Sequence, residues 1–445
     1  MSATGTRGAH LLGPGTHWRN WGRTASADPV HVARPTSVDD VIELVHLARD
    51  RSLTVKAIGA GHSFTSIGAT TGIQLDVEAM DGVLRVEGNL VTLGAGTNLY
   101  QLPALLQPLG LALANMGDID RQTIAGATST GTHGTGREFG GLATQVRAVT
   151  LVTADGSVLR VSDTENPELR GAAFLGLGAL GVLVDITIEC VPAFLLSAVE
   201  RPEKFDAVLD TWDHRCSTTD HFEFYVWPHT DTVLSKYNER LDGGEERRPA
   251  SRFSDWVEDR LVSNYALAAI LNVGRAMPSL TPPINRLAVK IAGNRDYTDH
   301  SHEVFVAPRT TRFREMEYAV PFEAVPEILR ELRSMIDAKR WSISFPIEVR
   351  AAAPDDLWMS TATGRPTGYI ALHKYFREDP TEYFHTVESL MKSYDGRPHW
   401  GKMHTRDAES LAATYPRHGD FVAVRNRLDP DRVFGNEYLA RVLGD

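Results

Sequence analysis

Two glycine-rich stretches, Ile58-Gly-Ala-Gly-His-Ser-Phe and Ala125-Gly-Ala-Thr-Ser-Thr-Gly-Thr-His-Gly-Thr-Gly, narrow the possible folds of this chain more than any other feature. The first runs directly out of a short strand pattern, Leu53-Thr-Val-Lys-Ala-Ile. Glycines at such a turn let backbone N–H groups approach a phosphate, because no Cβ intervenes and positive φ is tolerated. Alone, the motif reads equally well as a tight turn in a sheet. It is not the dinucleotide fingerprint, since no helix with a third glycine at the required spacing follows. The second stretch interleaves Gly126, Gly131, Gly134 and Gly136 with Thr128, Ser129, Thr130, Thr132 and Thr135. Backbone freedom combined with hydroxyls that need partners argues against a helix or a core strand there, and suits a cradle for a pyrophosphate and a planar ring. Two such loops ahead of a single change in composition indicate one large phosphorylated cofactor spanning both.

The elements around these loops are short and mixed, which predicts an α+β organisation. Pro35 to Asp50 opens with a helix start: Ser37 as cap, Asp39 and Asp40 in the first turn, then Val41, Leu44, Val45 and Ala48 at helical spacing. Gln74 to Val77, Val83 to Val86, Leu90 to Leu93, Gln145 to Thr153 and Ser157 to Val161 read as strands, and Tyr100 to Leu109 as a helix. Near Pro192 the character changes: glycine loops disappear and aromatic and charged residues become dense. His221-Phe-Glu-Phe-Tyr-Val-Trp and Phe313-Arg-Glu-Met-Glu-Tyr-Ala-Val alternate like strands. Phe322 to Ala338 reads as an amphipathic helix, and Trp341 to Arg350 and Tyr369 to Phe376 as strands. Boundaries near Pro192 and Pro398 divide the chain into 1–191, 192–397 and 398–445.

Composition removes several function classes. Apolar residues at 42% and charged residues at 23% are globular values, which sets disorder and coiled coil aside. The formal charge of −11 leaves no basic footprint for releasing phosphate counterions, so no nucleic-acid partner is expected. Cys190 and Cys216 are too few for a disulfide framework or a thiolate metal site, and the 16 histidines show no recognised ligand spacing, so no metal is expected. The most apolar run, Phe174 to Val184, falls short of the roughly 20 residues of a membrane helix, and Met1 to Trp18 lacks a signal-peptide core. The expectation is a cytoplasmic protein without a transmembrane segment.

Gly59-Ala-Gly-His-Ser-Phe, Gly131-Thr-His-Gly-Thr-Gly, Gly178-Ala-Leu-Gly and His399-Trp-Gly-Lys, in this order, resemble the flavin-linked aldonolactone and alditol oxidases of the vanillyl-alcohol-oxidase type. The likeness runs from about Trp21 to Leu443. It implies a two-part FAD-binding α+β domain, built from the N-terminal region and the C-terminal tail, with an inserted α+β cap domain for substrate. It implies FAD contacts from Ile58, Gly59, Ala60, Gly61, Ser63 and Phe64, from Thr123, Gly126, Thr130, Gly131, Thr132 and His133, and from Gly181 and Val182. His62 stands where the family often bonds the flavin 8α-methyl group covalently; the alternative is a hydrogen bond to a non-covalent flavin.

In Pro346-Ile-Glu-Val-Arg, Glu348 and Arg350 share one face of a strand, and the weakly charged flanks fit a water-facing strand poorly. The resemblance makes them holders of the substrate hydroxyls. His373 and Tyr375 share a face and approach the same pocket, and Lys402 returns to it from the tail. A smaller hydroxyl residue stands at the place of Tyr375 in the alditol oxidases, which speaks against a linear polyol. Oxidising an alcohol requires hydride transfer to flavin N5 and loss of the hydroxyl proton, for which Glu348 or Lys402 is the candidate acceptor. Arg350 suits a ring oxygen or carbonyl. The substrate expected is an L-gulono- or D-arabinono-1,4-lactone. The alternatives are a xylitol- or sorbitol-type alditol, or a non-catalytic sugar- or nucleotide-binding protein. In Asn115-Met-Gly-Asp-Ile-Asp, Gly117, beside Asp118, occupies the family position near the flavin carbon where dioxygen reacts. Its missing Cβ points to O2 as electron acceptor rather than another oxidant.

Overall fold

The computed structural model describes residues 8–241, 243, 245–250, 267–291, 294–307 and 311–445. The first glycine loop leaves a four-stranded sheet ordered Leu12–Pro14, His31–Ala33, Ile73–Asp76 and Val55–Ile58, in which the last three strands are parallel. Parallel strands need a crossover, and helix Val38–Asp50 carries the chain from His31–Ala33 to Val55–Ile58, between which Ile73–Asp76 inserts. Ser37 and Asp40 form a reciprocal capping box at its start, and Val41, Leu44, Val45 and Ala48 are buried. A five-stranded antiparallel sheet follows, ordered Val158–Ser162, Val146–Val152, Val182–Glu189, Leu90–Gly94 and Val83–Glu87.

The second glycine stretch departs from expectation, because Ile124–Thr130 is an α-helix. Its hydroxyls find partners inside the helix itself. Thr123 Oγ1 accepts from Gly126 N–H as the N-cap, Thr128 donates to the Ile124 carbonyl, and Thr130 donates to the Gly126 carbonyl. Gly131 then ends the helix at φ +79°, and the loop proper begins only there.

The strands from Leu195 to Pro398 form one eight-stranded antiparallel sheet. Its order is Arg295–His300, Leu195–Lys204, Thr232–Arg240, His221–Val226, Ile347–Ala352, Thr367–Tyr375, Phe313–Pro321 and Arg397–Pro398. Alternation assigns its two faces. Phe222, Phe224, Met316, Tyr318, Ile347, Val349, Ile370 and Leu372 pack on one side against helices Val325–Lys339 and Thr381–Ser393. The residues between them, Glu223, Glu315, Glu317, Glu348, Arg350 and His373, are buried on the other. The strand expected from Trp341 begins only at Ile347, because the Trp341–Pro346 segment is irregular and Asn285 instead donates to the Ile343 carbonyl.

The tail is stitched back onto the first sheet. Val55 N–H donates to the Val433 carbonyl, Phe64 N–H to the Gly401 carbonyl, and Asn436 Nδ2 to the Ser66, Ile67 and Ala69 carbonyls. Among the described residues, no helix is long and apolar enough to cross a membrane.

Candidate active site

Two cavities meet at Gln122, which lines both. The larger is an open cleft of about 910 Å³ between Ile58–Ser63 on one wall and Thr123, Gly126 and Thr130 on the other, with Lys56 and Gly181 also at its surface. The walls are very close: a Cβ on Gly59 would lie 2.3 Å from Thr123 Oγ1. Gly61 adopts φ +66°, which turns the loop around the cavity. Among the described residues, the N–H groups of Ala60, Gly61, His62 and Ser63 donate to no acceptor of the protein, although all four line the cavity. Four consecutive free donors beside left-handed glycine are the backbone chemistry that receives a pyrophosphate, so these residues fit FAD.

His62 stacks on Trp21, with ring centroids 5.4 Å apart. Burial, followed by Lys402 and Arg121, lowers its pKa to about 4, so the imidazole is neutral and nucleophilic at physiological pH. Phe64 does not line the cradle: it packs with Trp21 and Phe313 and places its ring 5.5 Å from Lys402 Nζ. Gly131 and Val182 also stand just behind the wall; Val182 belongs to the core under helix Val38–Asp50.

The smaller cavity, about 500 Å³, is lined by Gly117, Asp118, Thr132 and His133 on the flavin-loop side and by Glu315, Glu317, Glu348, Arg350 and His373 on the sheet side, with His399 and Lys402 from the tail. Glu348 and Arg350 are 5% and 8% exposed, which removes the reading of a solvated charge pair. Arg350 is held by three carboxylates: Glu348 in close contact, Glu223 at 2.8 Å and Asp118 at 3.5 Å. Burial disfavours its charge, but Glu348, Asp118 and Glu223 outweigh that and push its pKa well up. Glu223 is in turn 3.6 Å from Lys236 Nζ.

Lys402 Nζ is in close contact with Glu315. Burial opposes its charge, yet Glu315 and then Glu317 raise its pKa, so it is an ammonium and unsuited to accept a proton. Burial likewise opposes ionisation of Glu315, but Lys402 and His373 bring its pKa down to about 2. His373 Nδ1 faces the Pro346 carbonyl at 3.2 Å, which fixes the ring proton there and leaves Nε2 toward the cavity, 3.6 Å from Glu315. Tyr375, on the same strand face, is not in the cavity wall. It is buried with Phe64, Phe313 and Phe345, its hydroxyl directed at Asn272. It therefore does not discriminate between lactone and polyol.

His133, Glu317 and His399 present ligand-type atoms within 4.8 Å of one another, a cluster that linear spacing does not reveal. Its hydrogen bonds are already committed. His133 Nδ1 faces the Gly134 carbonyl at 2.8 Å and so carries a proton, while Nε2 shares one with Glu317 at 2.5 Å. His399 Nδ1 accepts from Gly401 N–H, which places the ring proton on Nε2 and takes away the lone pair a cation would need.

Sequence reading missed Glu223, Glu315, Glu317 and His399. The signal was present for the first three: acids at alternate positions between Phe222 and Phe224, or around Met316, repeat the pattern that singled out Glu348 and Arg350.

Residues 186–442 match the family model for D-arabinono-1,4-lactone oxidase, and residues 29–162 match an FAD binding domain. The chain is 40% identical to an L-gulono-1,4-lactone dehydrogenase of Mycobacterium tuberculosis, covering 96% of this chain and 99% of that protein. It is 34% identical to the L-gulonolactone oxidase of Bos taurus, over 96% and 98%. A cholesterol oxidase of Brevibacterium sterolicum shares the fold, with a TM-score of 0.83 at 18% identity over 97% of each chain.

Proposed function

The chain belongs to the D-arabinono-1,4-lactone oxidase family and is an FAD-dependent oxidoreductase acting on aldonolactones; from that premise we propose that it oxidises an L-gulono- or D-arabinono-1,4-lactone, with FAD tethered through His62. The reading of a non-catalytic binding protein is thereby set aside. The observation that carries the proposal is the charged cavity, lined by buried side chains, that adjoins the cradle at Gln122. Its lining holds four carboxylates, Asp118, Glu315, Glu317 and Glu348, against Arg350 and Lys402. That balance suits a neutral polyhydroxylated ring better than an anionic sugar acid.

When bound, FAD supplies the hydride acceptor, N5, that no side chain of the chain can provide. The side chains do the rest. Glu348 accepts a hydrogen bond from a substrate hydroxyl, while Arg350, pinned by its carboxylates, presents a fixed donor to a ring or carbonyl oxygen. Lys402, as an ammonium, steadies negative charge developing on the reacting oxygen. His373 Nε2 takes the hydroxyl proton, an assignment supported by its tautomer and by the charged state of Lys402. Residues 1–191 with 398–445 form the FAD domain of this proposal, and 192–397 the cap. A cytoplasmic location belongs to the same reading.

For the electron acceptor we propose O2. Gly117 borders the charged cavity and lacks a Cβ, while relatives bear both dehydrogenase and oxidase names. One screen tests the whole reading: anaerobic bleaching of the flavin spectrum by 1,4-lactones, alditols and the ring-opened aldonates, followed by aerated buffer with peroxide detection. Bleaching by alditols alone, or by none of the three, overturns it.

A further inference from the structure

We infer that Glu315 is a positioning residue that keeps Lys402 charged beside the substrate and balances the proton received by His373, an inference that rests on the lactone-oxidising reading above. Glu315 lies on strand Phe313–Pro321, 4% exposed, alternating with the core residues Met316 and Tyr318. One carboxylate oxygen contacts Lys402 Nζ, and the other lies 3.6 Å from His373 Nε2. The two groups come from different parts of the chain, the tail and strand Thr367–Tyr375, and Glu315 stands between them.

The reaction explains why such a residue is useful. The alcohol carbon gives up a hydride to FAD, its oxygen gives up a proton to His373 Nε2, and the carbon–oxygen bond becomes double. The imidazolium formed then flanks the same Glu315 carboxylate as the Lys402 ammonium. A carboxylate shared by both removes the repulsion that would oppose the transfer.

Other charged groups surround Lys402. Glu317 from the same strand and Asp118 from the loop after Gly117 also favour its ammonium form. His62 and His399 approach from the cradle loop and from its own segment, and both are made less basic by Lys402. Arg350 and His133 face the same cavity from the adjoining walls. Glu315 is the largest of the attractions, so without it burial acts on the amine with weaker opposition. The sign follows: loss of Glu315 lowers the Lys402 pKa, so as pH rises the charge is lost earlier than in wild type.

The test labels the holoenzyme with trace acetic anhydride between pH 6 and pH 11 and follows acetylation of the Lys402 peptide by mass spectrometry. Wild type should stay protected until above the ordinary lysine range, and Glu315→Gln should shift that midpoint down by about 1–3 units. The rate of flavin bleaching by L-gulono-1,4-lactone should acquire an alkaline falling limb with the same midpoint in Glu315→Gln. It should not do so in Glu315→Gln with Lys402→Arg, whose guanidinium stays charged. Should Glu315→Gln fail to fold, Glu315→Asp must show a smaller shift in the same direction. A wild-type midpoint at or below the ordinary lysine value, or equal midpoints in wild type and either variant, overturns the inference. Failure of wild type to bleach with any lactone would instead overturn the substrate reading, while the labelling still decides the role of Glu315.

Discussion

The two cavities that meet at Gln122 recognise their contents by opposite means. The cradle presents backbone: free N–H groups of Ala60 to Ser63, glycine at φ +66°, and walls so close that Gly59 has no room for a Cβ against Thr123. The neighbouring cavity presents side chains, among them four carboxylates, Arg350 and Lys402, with Arg350 and Glu315 fixed by partners from other segments. A cofactor that stays bound through every turnover can be held by main chain, which carries no titratable charge. A substrate that gains and loses charge needs titratable groups whose states are set in advance. The comparison predicts that damage to the second cavity stops chemistry without loosening FAD, and that damage to the first does the reverse.

The sharpest way to break this separation is at Glu348 and Arg350. Alanine at either position should slow flavin bleaching by lactone about 10²-fold or more, because an oriented donor or acceptor is lost from the reacting centre. Flavin content per chain, read from the visible spectrum, should be unchanged. Because Arg350 is buried among three carboxylates, Arg350→Ala should also lower the melting temperature more than Glu348→Ala does. Loss of flavin from both variants would mean that the two cavities are not independent.

His62→Ala tests the cradle. Wild-type chain denatured in acid should carry flavin fluorescence on a gel, and the variant should carry none while still binding FAD before denaturation. Turnover should fall by less than in the Glu348 variant, since the backbone donors of Ala60 to Ser63 remain. Flavin released completely from the wild type would leave His62 as a hydrogen-bonding neighbour.

The same contrast explains what was legible in the sequence. The cradle is built mainly from two short segments, so their glycines announce it; the helix at Ile124–Thr130 departs from expectation because hydroxyls bonding within their own helix leave no mark in composition, and Phe64, Gly131 and Val182 fall outside the wall. The charged cavity is assembled from alternate positions on strands far apart in the chain. Glu348 and Arg350 were visible as a pair on one strand. Glu315 and Glu317 carry the same two-residue spacing, but their partners His133, His373, His399 and Lys402 come from three other segments. Tyr375 obeys the alternation that placed His373 in the cavity, yet the aromatic cluster of Phe64, Phe313 and Phe345 takes it out of the wall. Periodicity assigns a face; it does not say where along that face the cavity ends.

Gly117 sits on the border and sharpens the comparison from both sides. A methyl group there would lie 3.0 Å from the His133 carbonyl oxygen and 3.3 Å from Thr132 Cγ2. Gly117→Ala should therefore slow reoxidation of the reduced enzyme by O2 by about five- to tenfold, the range expected from modest overpacking. If only reoxidation slows, the methyl blocks a passage. If anaerobic bleaching by lactone slows equally, the methyl acts through His133 and its bond to Glu317, and oxygen access lies elsewhere.

The smallest effect expected is within the cradle alone. Thr123→Ala removes the cap that accepts from Gly126 N–H, a loss of about 1 kcal/mol, which lowers the melting temperature of a chain of this size by about 2 °C. Gly59→Ala should do more harm, because its methyl meets the stiff, β-branched Thr123 side chain at 2.3 Å and 2.8 Å and must spread the walls around FAD. In the double variant the two closest contacts are gone and only the Cβ of residue 123 remains, at 3.1 Å, so Gly59→Ala should cost less FAD occupancy in the Thr123→Ala background than in wild type. That coupling, measured as flavin-to-protein ratio and melting temperature for all four proteins, follows from wall-to-wall contact and from nothing in the charged cavity. Additive effects would show that Gly59 is required for its own backbone conformation, and that closeness of the two walls is not what shapes the cradle.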